Sequence, residues 1–230
     1  VGGLGLIVIA LSLGLFGKRS GASLYSSEGR SEHVVPNVVQ TTRFIAKVAV
    51  VFILLGTTIL SAMTLFLGME PSRAILQSLW LSISAFITGG FAPMSQSVMY
   101  YHSFPIELVL MVLMVLGSVN FVLHAEIGKG RVATFFRDLD TRTMALWLLA
   151  MTFVFAASLL VSTTFSNLPS MLRSLFLVVS AFSTTGFQNI TTNEITTALS
   201  SGSFLVLAII MAVGGAGGST AGGIKINRVG

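Results

Sequence analysis

Residues 84–91 read SAFITGGF, and residues 180–187 read SAFSTTGF. Extended backwards, Ala74–Phe91 (AILQSLWLSISAFITGGF) matches Ser170–Phe187 (SMLRSLFLVVSAFSTTGF) at 10 of 18 positions, with a constant offset of 96. That period is too long for a solenoid and suits a unit of two membrane helices. In each copy a dense apolar stretch gives way to Thr-x-Gly-Phe, so each reads as a short helix followed by a stop. Ser72 to Phe86 is about 15 residues, or roughly 22 Å of helix. A full crossing needs about 20 apolar residues. Such a segment is expected to enter a membrane and turn back.

Composition points the same way. The 230 residues are 53% hydrophobic and 9% charged, with a mean hydropathy of +0.90. Soluble domains carry about 25% charged residues. The net charge of +5 is therefore a matter of position relative to a bilayer, not a nucleic-acid footprint. With no cysteine, disulfides, thiolate metal sites and a cysteine nucleophile are excluded. No His/Glu metal constellation and no Ser/His/Asp arrangement stands out, so an enzyme has little support. The first residues, VGGLGLIVIALSLGLF, are already apolar and the last are INRVG, so both ends look cut from something longer.

Val48–Met69 and most of Thr143–Thr164 are long enough to span, and Leu108–Ala125 is just long enough with its flanks. Pro71 and Pro169 fall where a first helical turn accepts proline, since the missing N–H would be unpaired there anyway. The expected unit is a long helix, a short helix starting at a proline, a glycine-containing stop and a second long helix. VGGLG (1–5), LGSVN (116–120) and VGGAG (213–217) mark corresponding second helices. The expected divisions are 1–16 (second helix of a truncated first repeat), 17–43 (cytoplasmic connector), 44–127 (a complete repeat), 128–142 (connector) and 143–230 (a repeat ending in a broken, Gly-rich second helix).

Basic residues set the orientation. Eleven of the 13 lie in three segments: Lys18, Arg19, Arg30, Arg43 and Lys47; Lys129, Arg131, Arg137 and Arg142; Lys225 and Arg228. Positive charge stays on the cytoplasmic side of short loops. Fully crossing short helices would put successive basic segments on opposite sides, whereas re-entrant ones put all three on one side. The charge rule selects the re-entrant arrangement, dipping in from outside. A helix so oriented brings the negative end of its dipole toward mid-membrane. Carbonyls on the extended segment beyond can replace the water shell of a cation. Gly90 and Gly186 would take a backbone conformation that side chains disfavour, and Phe91 and Phe187 would wedge each segment against neighbouring helices.

ITGGF (87–91), STTGF (183–187) and especially GGAGGSTAGGIK (214–225) resemble the Trk/Ktr/HKT superfamily of potassium transporters. VGGLGLIVIALSL (1–13) and LGSVNFVLH (116–124) are similar to its second helices, so the resemblance covers essentially the whole chain. It implies an all-α membrane protein in which M1–re-entrant pore helix–M2 units surround a pseudo-symmetric cation pore. This chain would hold two of the four filter walls. The implied filter is Ile87, Thr88, Gly89, Gly90 and Phe91 with Ser183, Thr184, Thr185, Gly186 and Phe187. Backbone carbonyls of Thr88, Gly89, Thr184 and Thr185 would hold K+. Further implications are uptake of potassium, or of potassium and sodium, across the cell membrane, a homodimer, and a cytosolic nucleotide-binding regulatory subunit. No cofactor other than the transported ion is implied.

Six glycines lie among the ten residues 214–223, each costing about 1 kcal/mol against Ala in a helix. A continuous helix is disfavoured. In the family such a string resembles the gate below the filter, here Gly214, Gly215, Ala216, Gly217, Gly218, Ser219, Thr220, Ala221, Gly222, Gly223 and Lys225. Helix packing through Gly-x-x-x-Gly is the competing account. A phosphate-binding loop fails because Ile224 separates Gly223 from Lys225. Lys225 is either a charge the gate shields or a cytoplasmic anchor. Asn120 and His124, four apart, are expected to share a helix face and bond a neighbouring helix. Glu107 and Glu194 are expected outside, as solvated surface carboxylates rather than groups that draw cations in. A secondary transporter with broken helices at a mid-membrane site is the alternative; like-sided basic segments argue against its usual inverted halves.

Overall fold

The structure, a computed structural model, describes residues 38–128, 130–161, 168–190 and 199–228. The expected helix over 1–16, most of the first connector, Lys129 and Glu194 lie outside the described residues. Among the described residues, eight α-helices follow in order: α1 (Val38–Phe66), α2 (Pro71–Phe86), α3 (Phe104–Ser118), α4 (Phe121–Gly128), α5 (Val132–Arg137), α6 (Leu139–Val161), α7 (Leu168–Phe182) and α8 (Ser201–Ala212). Arg43–Phe66 and Leu139–Leu159 are long and apolar enough to cross a membrane. Their outward faces carry Val50, Leu54 and Ile59 on α1, and Leu146, Leu149 and Phe153 on α6, all exposed. Apolar side chains facing outward are what a lipid solvent requires.

Pro71 opens α2 with Glu70 as its extended N-cap (φ −57°, ψ 134°), and Pro169 lies in the first turn of α7. The depth of α2 is read from α1. Phe86, the last residue of α2, stacks on Phe52 with ring centroids 5.4 Å apart. Phe52 lies about 21 Å from Phe66 along α1 and about 14 Å from Arg43, at 1.5 Å per residue. Helix α2 therefore stops well short of the basic end of α1. The chain then climbs back, and Tyr101, in a 3₁₀ turn (Ser97–Tyr101), donates its hydroxyl to Gln77 Oε1 at 2.8 Å. Burial, with Tyr100 beside it, pushes the Tyr101 phenol up to about 12, so this tie stays protonated and neutral.

The second hairpin packs against the first. Phe176, Val179 and Phe187 share one core cluster with Leu60 of α1, Leu81 and Ala85 of α2 and Leu110 and Met114 of α3. A second cluster joins Phe155 and Leu159 of α6 to Val178 and Phe182 of α7, Ile210 of α8 and Ile226. A third holds Ile45 and Ala49 of α1 with Phe86 and Phe121. Because Phe121 opens α4 and the basic segment 131–142 follows it, the basic end of α1 and that segment lie at the same end of the bundle.

One expected span is broken. Residues 108–125 do not form a continuous helix: α3 ends at Ser118, α4 begins at Phe121, and the two axes differ by 102°. Val119 is extended (ψ 148°), and Asn120 Oδ1 accepts from Val122 N at 2.9 Å, an Asx turn that starts α4 in a new direction. Asn120 thus leaves the helix, and His124 Nδ1 lies 3.1 Å from the Asn120 carbonyl oxygen. The shared helix face expected for this pair is replaced by a local turn.

Helix α8 starts at a serine cap, Ser203 N donating to Ser200 Oγ at 3.2 Å. It stops at Ala212, where the glycines begin. Residues 213–214 (β1) and 224–225 (β2) then pair in parallel, Val213 with Ile224 and Gly214 with Lys225, closing the Gly-rich string into a loop. An added Cβ on Gly214 would lie 2.0 Å from the Gly222 carbonyl oxygen, so this closure requires glycine.

Candidate functional site

The tips of α2 and α7 end in the same hydrogen-bonded device. On α2, Ile87 N donates to Ile83 O (3.0 Å), Thr88 N to Ala85 O (3.2 Å) and Gly89 N to Ser84 O (2.7 Å). On α7, Ser183 N donates to Val179 O (2.9 Å), Thr184 N to Ala181 O (2.9 Å) and Thr185 N to Ser180 O (3.0 Å). Every partner is shifted by 96. This is a Schellman-type helix end, whose reversing residue is left-handed and usually glycine. Here that residue is Thr88 (φ 53°) or Thr184 (φ 55°), with Gly90 (φ 73°) and Gly186 (φ 85°) following. A β-branched residue at positive φ is a genuine outlier, costing of order 1–3 kcal/mol. Sequence reading anticipated the two glycines and an extended segment. The threonine turns were not foreseen, because nothing in Thr-x-Gly by itself says that the threonine rather than the glycine reverses the chain.

The two tips touch. An added Cβ on Gly90 would lie 1.8 Å from the Thr185 carbonyl oxygen. Among the described residues, no hydrogen bond ends on the carbonyls of Thr88, Gly89, Thr184 or Thr185.

The tips differ at phenylalanine. Phe187 is buried, and Ser180 Oγ donates to its carbonyl at 2.8 Å. Phe91 is instead 72% exposed, and the corresponding Ser84 Oγ is buried without a partner. Among the described residues, neighbouring helices cover Phe187 as expected of a wedge, and none covers Phe91. Phe187 meets the core shared by α1, α2 and α3, while Phe91 lies beyond the end of α2 beside a face that no described element covers. That face forms a 450 Å³ groove with Trp80, Ile83, Ile87, Phe91 and Pro93 among its lining residues.

The Gly-rich string lies against both tips. Thr88 Oγ1 is 2.9 Å from Thr220 O, and Gly222 N donates to Thr184 Oγ1 at 2.7 Å. Thr220 Oγ1 reaches Phe86 O (3.0 Å) and Gly117 O (2.8 Å). The string also fills the break after α3: Thr220 N donates to Gly117 O (2.9 Å), Ala216 N to Ser118 O (3.0 Å), and Phe121 N to Gly218 O (3.2 Å). Carbonyls and an amide left open by the missing helical turn are thereby satisfied, as buried backbone groups must be. Gly214 through Ala221 are buried, while Gly222 and Gly223 are exposed. Lys225 is half-buried and its ammonium donates to the Ala221 carbonyl, so it ties the base of the loop to its tip.

Glu107 corrects a further expectation. It is 8% exposed, not a solvated surface carboxylate, and its Oε2 accepts from Asn189 Nδ2 at 3.1 Å. Val98 N donates to Gln188 O (3.1 Å), and Gln188 N to Ser97 Oγ (3.2 Å). The chain leaving the second tip is thus fastened to the first hairpin. These contacts span more than 80 residues, and no local pattern announces them.

Two helices with matched reversed tips, joined by a buried glycine loop and flanked by two helices long and apolar enough to cross a membrane, define an α-helical membrane fold. The family profile described as TrkH, a cation transport protein, matches residues 1–230. The chain belongs to the TrkH family of cation transport proteins. It is 31% identical over 99% of its length to the Trk system potassium uptake protein TrkI of Halomonas elongata, covering 44% of that protein. It is 29% identical to the uncharacterized cation transporter MJ1485 of Methanocaldococcus jannaschii, over 99% of this chain and 43% of that one. The crystal structure of the potassium transporter TrkH from Vibrio parahaemolyticus superimposes with a TM-score of 0.74 at 23% identity, over 99% of this chain and 44% of that chain. The chain thus spans less than half the length of these relatives.

Proposed function

We propose that this chain contributes two filter walls and an intramembrane gate to a potassium uptake pathway across the cell membrane. The observation that carries the reading is the matched pair of tips: left-handed Thr88 and Thr184, positive-φ Gly90 and Gly186, and four carbonyls that no described donor occupies. A carbonyl left open at the end of an inward-pointing helix suits a cation that has shed its water. Thr88, Gly89, Thr184 and Thr185 would supply those oxygens to K+, or to K+ and Na+. The string 214–223 would be the gate, because it lies against both tips and its glycines let it adopt more than one path. The names of the relatives, potassium uptake and cation transport proteins, support the choice of ion. A homodimer and a cytosolic nucleotide-binding regulatory subunit complete the proposed assembly. Its lipid contact would be made by the exposed apolar faces of α1 and α6.

The test is Rb+ and Na+ uptake by the intact transporter carrying this segment, in a bacterium deficient in K+ uptake. Gly186→Ser is expected to lower the Rb+/Na+ ratio, and a deletion within 214–223 to raise flux. An unchanged ratio removes Gly186 from the filter; an unchanged flux removes the string as gate.

A further inference from the structure

The string does more than lie beneath the tips; it is bonded to the side chain of the same residue in each. Thr88 and Thr184 correspond at an offset of 96, share φ near 54°, and each holds its hydroxyl over the preceding carbonyl, Ile87 O or Ser183 O, at 2.7 Å. The Thr88 hydroxyl also reaches the Thr220 carbonyl at 2.9 Å, and the Thr184 hydroxyl accepts from the Gly222 amide at 2.7 Å. Two residues apart on the string, a carbonyl and an amide thus meet the one side chain on each tip that sits in a strained conformation. Strained backbone persists only where its surroundings over-determine it. Here part of that determination comes from the string.

Resting on the filter-and-gate reading above, we propose that the Thr88 and Thr184 hydroxyls are positioning groups that clasp the string to the tips. Loss of either hydroxyl then frees the string and slackens the filter together. Thr220 is the centre of the clasp. Its carbonyl meets Thr88, while its hydroxyl and amide meet the end of α2 at Phe86 and the break after α3 at Gly117. Movement of the string at this residue is transmitted to the tip of α2 and to the α3–α4 junction together.

The experiment uses the intact transporter and reads Rb+ flux and the Rb+/Na+ ratio side by side. Valine keeps the shape of threonine and removes the hydroxyl; serine keeps the hydroxyl. Thr88→Val and Thr184→Val are each expected to raise flux and lower the ratio together. The change should be about fivefold, what one buried neutral hydrogen bond is worth. Thr88→Ser and Thr184→Ser, which keep the hydroxyl, should move both readouts less than the matching valine variants. In a background where a deletion within 214–223 removes Thr220, Thr88→Val should change flux no further, because contacting groups are non-additive. Independent addition of the two effects, or a valine variant that moves only one readout, overturns the clasp. Should Thr88→Val fail to reach the membrane, Thr184→Val carries the same comparison. If neither valine variant reaches it while both serine variants do, the hydroxyls serve folding alone and the clasp is overturned. The underlying reading fails separately, when Gly186→Ser and the deletion are themselves without effect.

Discussion

At the meeting point of the two tips, adjacent glycines do different things. Gly90 takes φ 73° and presses its Cα hydrogens toward the Thr185 carbonyl, which a Cβ would meet at 1.8 Å. Gly89 has its nearest would-be contacts at 3.7 Å, ordinary packing distance, and its counterpart in the second hairpin is Thr185, which carries a side chain. Gly90→Ala is therefore expected to cost about 2 kcal/mol or more, through clash and positive-φ strain together. Gly89→Ala should stay within about 0.5 kcal/mol of the parent. Thermal unfolding of the detergent-solubilised transporter, with Rb+ uptake beside it, checks both; equal melting temperatures for the two variants would contradict the contact between tips.

Among the elements, the broken α3–α4 pair depends most on its neighbours. A helix interrupted in a membrane must have its freed backbone groups satisfied by protein or water, and here Gly117 O, Ser118 O and Phe121 N are met by the string. The approach is close enough that a Cβ on Gly117 would lie 2.2 Å from Phe86 O. Gly117→Ala should push the end of α2 away and destabilise by about 1–3 kcal/mol, the usual range for overpacking. Gly128, with nothing within 4 Å of an added Cβ, should accept alanine without loss. A melting temperature unaltered by Gly117→Ala would mean that α2, the break and the string do not converge as described.

The whole molecule has a polarity set by charge. Arg43 and Lys47 at one end of α1, and Arg131, Arg137 and Arg142 around α5, lie at the end of the bundle away from the Glu70–Arg73 pair that opens α2. With no cysteine in this chain, single cysteines report the orientation cleanly. On an otherwise cysteine-free transporter, a membrane-impermeant maleimide should label Glu70→Cys in intact cells and Arg137→Cys only after permeabilisation. Labelling of both from the same side would overturn the re-entrant topology.

Much of this architecture was legible in the residues. Apolar length marked α1 and α6, proline marked the starts of α2 and α7, and six glycines in ten marked the end of α8. Those signals are local: they depend on how many apolar residues follow one another, and on what a missing N–H or a missing Cβ allows. The offset of 96 announced two like hairpins for the same reason, since like sequences end helices alike. The broken third helix, the buried Glu107 and the threonines that reverse the chain were not legible. Each depends on a partner far away in the sequence: the string that fills the break and bonds the threonines, and Asn189 that meets the carboxylate. Backbone groups inside a membrane must be satisfied somewhere. Chain composition shows where a helix gives out; only the packed molecule decides which distant residue takes up the bonds it leaves.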